Sequence, residues 1–178
     1  MVDAHFVQYD DERHRAQYIE MMVEYCKWLD DQVYLHYSVK LIQDGKIDEF
    51  VERNTSRWVS VKPPMGIVLI LEVDGEVVGA GRFDTFEEGV GDVHNVWTNP
   101  KHRGKGYATR LMNHLEIKAK EFDFTALRLD TAKFNIPAQR LYRKIGYNEI
   151  ERYREITRNE NENIRLYYEE KVYMEKNL

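Results

Sequence analysis

The sequence predicts an α/β chain of the mixed α+β type, with a central mixed sheet of about six to seven strands flanked by helices. Three observations carry that expectation. Residues 66–73 (GIVLILEV) are almost wholly apolar, as a strand covered on both faces must be. Elsewhere strand-type runs alternate with stretches of helical period, in the order β, α-rich, β-hairpin, β, α, β, α, β, β. A length of 178 residues with 43% hydrophobic content fills one core, so a single domain over 1–178 is expected.

Residues 5–10 (HFVQYD) read as the opening strand, and Asp10 or Asp11 offers a helix N-cap. Ile19, Met22, Val23, Cys26 and Leu29 then form a helical stripe. A weaker helical stretch starts at Ser38, breaks at Gly45 and resumes with Ile47, Phe50 and Val51. Pro63-Pro64 enforces extended backbone and closes this helical region, 1–62. After the apolar strand, Asp74-Gly75 signals a tight hairpin turn. The return strand, 76–84, carries Gly79 and Gly81, where another segment can approach closely. A polar loop over 85–91 leads into a strand at 92–98, closed by Asn99-Pro100. From Ala108 onward, Leu111, Met112, Leu115, Ala119 and Phe122 mark an amphipathic helix. Residues 125–131 alternate Leu127 and Leu129 against Arg128 and Asp130, the period of a strand. Asn135 or Ile136 caps a short helix with Pro137 in its first turn, Leu141 and Ile145 inward, and Gly146 as its left-handed stop. The tail, 147–174, reads as two tyrosine-rich strands around a polar turn at 157–163.

Composition excludes several classes. The longest apolar run, 67–71, is five residues, far below the ~18 a membrane helix needs. The N-terminus lacks the apolar stretch of a signal peptide, and a cytoplasmic location is expected. A single cysteine, Cys26, forms neither an internal disulfide nor a cysteine zinc cluster, and on its helical stripe it reads as a buried apolar residue. With 26 Lys+Arg against 31 Asp+Glu, the net charge of -5 argues against wrapping a duplex or a polybasic membrane contact. One local basic site remains open.

That site is the stretch Arg103-Gly104-Lys105-Gly106-Tyr107-Ala108, between a strand and a helix. Glycine permits positive φ and removes Cβ atoms that would shield backbone N–H groups from a phosphate. The N–H groups of a helix N-terminus point outward and carry about half a positive charge. Lys101, Arg103 and Lys105 add formal charge. A phosphate or pyrophosphate site follows, against the plainer reading of a basic glycine-rich surface turn. A P-loop string, GxxxxGK[ST], is absent, and Thr109 stands where the dinucleotide fingerprint needs its last glycine.

Residues 100–108 (PKHRGKGYA) resemble the [Q/R]-x-x-G-x-[G/A] signature of the GNAT superfamily of acyl-CoA N-acyltransferases, with Arg103, Gly106 and Ala108 in the three defined positions. The preceding Val93-x-x-Val96-x-Thr98 is similar to that family's cofactor-binding strand, although Thr98 stands where an aliphatic residue is more usual. Asn135-x-x-Ala138-x-x-Leu141-Tyr142, ending at Gly146-Tyr147, resembles its second motif. The likeness covers residues 66–155; residues 11–62 match only in being helical.

The resemblance implies a splayed sheet with acetyl-CoA as cosubstrate, lying between parallel strands 92–98 and 125–131. The implied cofactor-binding residues are Val96, Trp97, Thr98, Arg103, Gly104, Lys105, Gly106, Tyr107, Ala108, Asn135, Ala138 and Tyr142, and no metal is expected. It implies direct attack of a primary amine on the thioester, with a bulge freeing the Val96 N–H as oxyanion donor. A phenol of pKa near 10 can protonate a leaving thiolate, which makes Tyr142 the candidate general acid, against a packing role. Since a lysine-like amine is neutral only about once in two thousand molecules at pH 7, a base is wanted. Asp92 and His94 are the candidates, on one face of their strand by alternation. Each also has a plain structural reading, Asp92 after a turn and His94 as a satisfied sheet residue.

For the acceptor, Trp28, Asp30, Asp31, Tyr34, His36, Tyr37, Glu87 and Glu88 offer carboxylates and aromatics for a cation, or simply a solvated face. The expected partner is a small-molecule or peptide amine, with no nucleic acid and no membrane; a homodimer is left open. The competing function is a non-catalytic acyl-CoA-binding sensor on the same fold. A nucleic-acid binder ranks last, because no aromatic-interleaved basic stripe occurs.

Overall fold

The computed structural model describes residues 4–42, 46–155 and 161–178. Its strands are β1 (Ala4–Gln8), β2 (Gly66–Val73), β3 (Glu76–Glu87), β4 (Val90–Thr98), β5 (Ala126–Thr131), β6 (Asn148–Ile150) and β7 (Val172–Asn177). They form one sheet in the order β1-β2-β3-β4-β5-β7-β6. All neighbours are antiparallel except β4 and β5. The helices are α1 (Asp11–Tyr37), α2 (Ile47–Trp58), α3 (Tyr107–Glu121), α4 (Ile136–Lys144) and α5 (Glu162–Glu169).

β2 is buried along its whole length because it separates two cores. Ile67 and Leu69 pack with Phe83, Leu111, Met112, Leu115, Leu127 and Leu129 under α3 and α4. Val68 and Ile70 face the other way, onto Tyr18, Met22, Cys26, Val51 and Trp58 of α1 and α2. Each such side chain taken out of water contributes about 1.5–3 kcal/mol, so neither helical layer is dispensable. Asp10 caps α1 by accepting from the Arg13 N–H, as expected, and Ser38 ends that helix in left-handed conformation. The expected break at Gly45 lies outside the described residues. No helix among the described residues is long and apolar enough to cross a membrane.

Two expectations need correction. The polar loop at 85–91 is only a tight turn, since β3 continues to Glu87 and pairs with Val90. The cross-strand ladder of β3 and β4 continues through these polar residues because their side chains reach solvent or one another. The tail is not two tyrosine-rich strands: the described residues give the short β6, then α5 capped by Asn161, then β7. Tyr167 and Tyr168 sit on a helix, and Tyr153, just beyond β6, packs edge-on against Tyr173 of β7 with ring centroids 5.3 Å apart.

The sheet splays at its centre. β4 and β5 pair only from Val90–Val93 against Ala126–Leu129, after which the β5-facing edge of β4 has no strand partner among the described residues. The divergence follows a bulge: Ala80 pairs with Trp97 and Arg82 with His94, so β4 carries one residue more than β3, and Asn95 takes φ 52°. A bulge bends and twists the strand that holds it.

Candidate active site

Two connected clefts occupy the splay. The first, about 520 Å³, runs from the loop before α3 to the gap between β4 and α4, and includes Val96, Trp97, Thr98, Arg103, Gly104, Gly106, Tyr107, Ala108, Asn135, Ala138 and Tyr142 in its lining. All the expected cofactor residues meet there except Lys105, which lies outside the lining. Gly104 and Gly106 adopt φ +78° and +76°, and a Cβ on either would meet no atom within 4 Å. The space over the N-terminus of α3 is therefore open for a ligand, and the backbone there is one that glycine favours. Thr98 Oγ1 and His102 Nδ1, both of residues lining this cleft, are buried without a hydrogen-bond partner among the described residues. These features fit a phosphate-bearing cofactor such as acetyl-CoA.

The basic cluster divides. Arg103 lies over the Trp97 ring at 4.4 Å, and its Nε donates to the Thr98 carbonyl at 3.2 Å. Lys101 instead lines a surface hollow with Gln17, Glu20 and Glu76, away from the cleft. Asn135 caps α4 by accepting from the Ala138 N–H, and both residues line the two clefts.

The second cleft, about 210 Å³, shares Trp28, Val96, Trp97, Asn135, Ala138 and Tyr142 with the first. Beyond them it is lined by Tyr25, His94, Asp130, Arg154, Tyr167 and Lys171. Tyr142 is 7% exposed, on the turn of α4 that faces the splay. Burial, with the charge of Asp130 adding, holds its phenol well above the ordinary range, so the hydroxyl stays protonated.

Asp92 and His94 share a face, as alternation requires, with His94 Nε2 3.7 Å from Asp92 Oδ2 and 3.2 Å from Asp84 Oδ1. Burial alone would raise the Asp84 carboxyl, but the His94 hydrogen bond and the charges of His94 and Arg82 outweigh it and bring it below the usual range. Asp92, 3% exposed, accepts from the Tyr153 hydroxyl at 3.0 Å and is ion-paired with Arg154. It does not line the second cleft; His94 does. Arg154 also reaches Asp130 at 3.5 Å, and Lys171 Nζ donates to Asp130 Oδ1 at 2.6 Å. Burial lowers the guanidinium pKa of Arg154.

Of the acceptor-side candidates, only Trp28 lines the clefts. Asp30 is buried and accepts the Leu41 and Ile42 N–H groups, closing the end of α1. Asp31 pairs with Lys40, Tyr34 is 56% exposed, His36 stacks on Phe134, and Tyr37 donates to Glu170. Glu87 pairs with Arg128. Sequence reasoning missed Asp130, Arg154 and Lys171. Asp130 was signalled as the polar side of the β5 alternation, but nothing local marks Arg154 or Lys171.

An open sheet whose two parallel strands diverge beside a glycine loop at a helix N-terminus defines an α/β protein built to hold an extended anionic cofactor. The chain matches the model of the acetyltransferase (GNAT) family over residues 32–147 and belongs to that family. It is 33% identical over 63 residues to the aminoglycoside N(6')-acetyltransferase type 1 of Acinetobacter haemolyticus, a stretch covering 35% of this chain and 43% of that protein. It is 35% identical over 81 residues to the IAA acetyltransferase of Azospirillum brasilense, covering 44% and 52%. The chain thus spans about half the length of these curated relatives. The fold is shared with a GNAT-family acetyltransferase of Staphylococcus aureus (TM-score 0.70, 15% identity, 99% of both chains). It is shared equally with the PaiA N-acetyltransferase of Thermoplasma acidophilum, solved with coenzyme A (TM-score 0.69, 14% identity, 99% of both chains).

Proposed function

We propose that the protein transfers an acetyl group from acetyl-CoA to a primary amine by direct attack, without an acyl-enzyme. One observation carries this reading. The cleft that starts at the glycine loop and the cleft that ends at His94 meet at Val96, Ala138 and Tyr142, so a donor and an acceptor entering separately would meet beside a protonated phenol. Acetyl-CoA supplies the activated thioester. The amides from Gly104 to Ala108 would hold its pyrophosphate, and the open edge of β4 at Val96 and Thr98 its extended arm.

The chain's own groups then have separate tasks. His94, whose Nε2 faces the Asp84 and Asp92 carboxylates at 3.2 and 3.7 Å and which lines the second cleft, accepts the acceptor's ammonium proton. Asp92, already engaged by Tyr153 and Arg154, orients His94 in place of acting as the base itself. The Val96 N–H beside the bulge stabilises the carbonyl oxygen as it gains charge. The N–C bond forms, the C–S bond breaks, Tyr142 gives its proton to the departing sulfur, and the proton shed by the new amide nitrogen restores the phenol.

Calorimetric titration with acetyl-CoA, followed by free-thiol release against a panel of amines, tests the proposal. Tyr142→Phe should bind acetyl-CoA normally and lose about 100-fold in kcat. Tight acetyl-CoA binding with no thiol release for any amine would replace this reading with that of an acyl-CoA sensor.

A further inference from the structure

We propose that the acceptor is a free α-amino acid, whose carboxylate docks on Arg154 and Lys171 while its amine faces His94 and Tyr142. The proposal rests on the acetyl-transfer reading and adds the substrate class. It stands on which hydrogen-bonding groups of the second cleft are already used. The acids of this corner are taken: Asp130 accepts from Lys171 and is paired with Arg154, while Asp92 accepts from Tyr153 and is paired with Arg154. Arg154 Nε is buried and without a hydrogen-bond partner among the described residues, and so is Trp97 Nε1, also of a lining residue.

The unspent capacity of the cleft is therefore of donor type, which an acceptor-rich anion satisfies and a bare ammonium does not. Arg154 and Lys171 stand against Asp130 and Asp92, two cations and two carboxylates, a balance that a zwitterionic acceptor leaves unchanged. Size agrees with the class. A volume of about 210 Å³ is the room of about seven waters at ~30 Å³ each, enough for an amino acid. Tyr25, Trp28 and Tyr167 give its side chain an aromatic wall.

Thiol release with acetyl-CoA should be compared for acceptors of one skeleton: leucine, leucinamide and isoamylamine, and likewise for other amino acids found active. At least one amino acid should exceed its amide and its decarboxylated amine by about 10- to 100-fold in kcat/KM. Lys171→Met and Arg154→Gln, each first checked for a wild-type melting profile, should collapse that ratio towards one. Independently of turnover, the matching α-hydroxy acid should bind the CoA complex by calorimetry and lose at least tenfold in affinity in Lys171→Met. Amides or decarboxylated amines used as well as the acids would overturn the assignment and leave acetyl transfer standing. No thiol release with any amine would overturn both.

Discussion

Replacing Gly106 with alanine should separate cofactor binding from folding. Gly106 caps α3 at φ +76°, with no atom within 4 Å of an added Cβ. In the free protein the methyl group meets nothing, so the cost is the left-handed backbone alone, about 1–2 kcal/mol. For a chain of this size that lowers Tm by about 2–8 °C. With ligand present the methyl stands over the amides of the first turn of α3. Losing one charge-assisted hydrogen bond, worth about 1.5–3 kcal/mol, raises the acetyl-CoA Kd by at least about tenfold. Gly66→Ala supplies the contrast: its Cβ would stand 2.8 Å from Asp84 Cα and within contact-violating distance of the Phe83 carbonyl, and none of these residues lines the cofactor cleft. That variant should lose much more stability and, where folded, keep its affinity. Scanning calorimetry and acetyl-CoA titration of both variants decide the matter. Wild-type affinity in folded Gly106→Ala would refute the assignment of this loop to the cofactor.

Two further outcomes are expected. His94→Gln should lower kcat/KM at pH 7 by about 100-fold and flatten the acidic limb of its pH profile, whereas Asp92→Asn should cost less and shift that limb; an unmoved limb in His94→Gln would refute the base. The Cys26 thiol is pushed up to about 12 by burial, with the charge of Asp30 adding, and should resist iodoacetamide at pH 8 in the folded protein. The unfolded chain ionises near the ordinary value of 9.0, so above it the unfolded state binds fewer protons. Stability should then fall as pH rises from about 9 towards 12, by at most about 1.4 kcal/mol per unit from this group. Stoichiometric labelling of the native protein, or an identical alkaline slope in Cys26→Ala, would contradict the burial argument.

Much of the cofactor side was legible because its signals are local. Gly104 and Gly106 meet a conformational demand of their own backbone, and Asn135 caps the helix it precedes. β2 announced its double burial by composition alone. The tail was misread because tyrosines suit strands and helix faces alike, and the decision between them at Tyr167 came from packing against Tyr37 and Phe134. The acceptor side failed for the opposite reason. Asp30 carried the right charge near the right helix, yet it serves two backbone N–H groups eleven and twelve residues on.

The sequence by itself determined what depends on neighbours along the chain: the caps of α1 and α4, the doubly buried β2, the glycine loop, and the common face of Asp92 and His94. Only the tertiary structure decided what depends on distant segments meeting. Asp92 was a free carboxylate in the sequence and became an engaged one because Tyr153 and Arg154 fold back onto it. Arg154 and Lys171 became neighbours through Asp130, which each reaches from a different part of the tail. Hydrogen bonds and charges act over a few ångströms of space, and no spacing in the sequence encodes which residues the sheet order of β4, β5 and β7 brings within that reach.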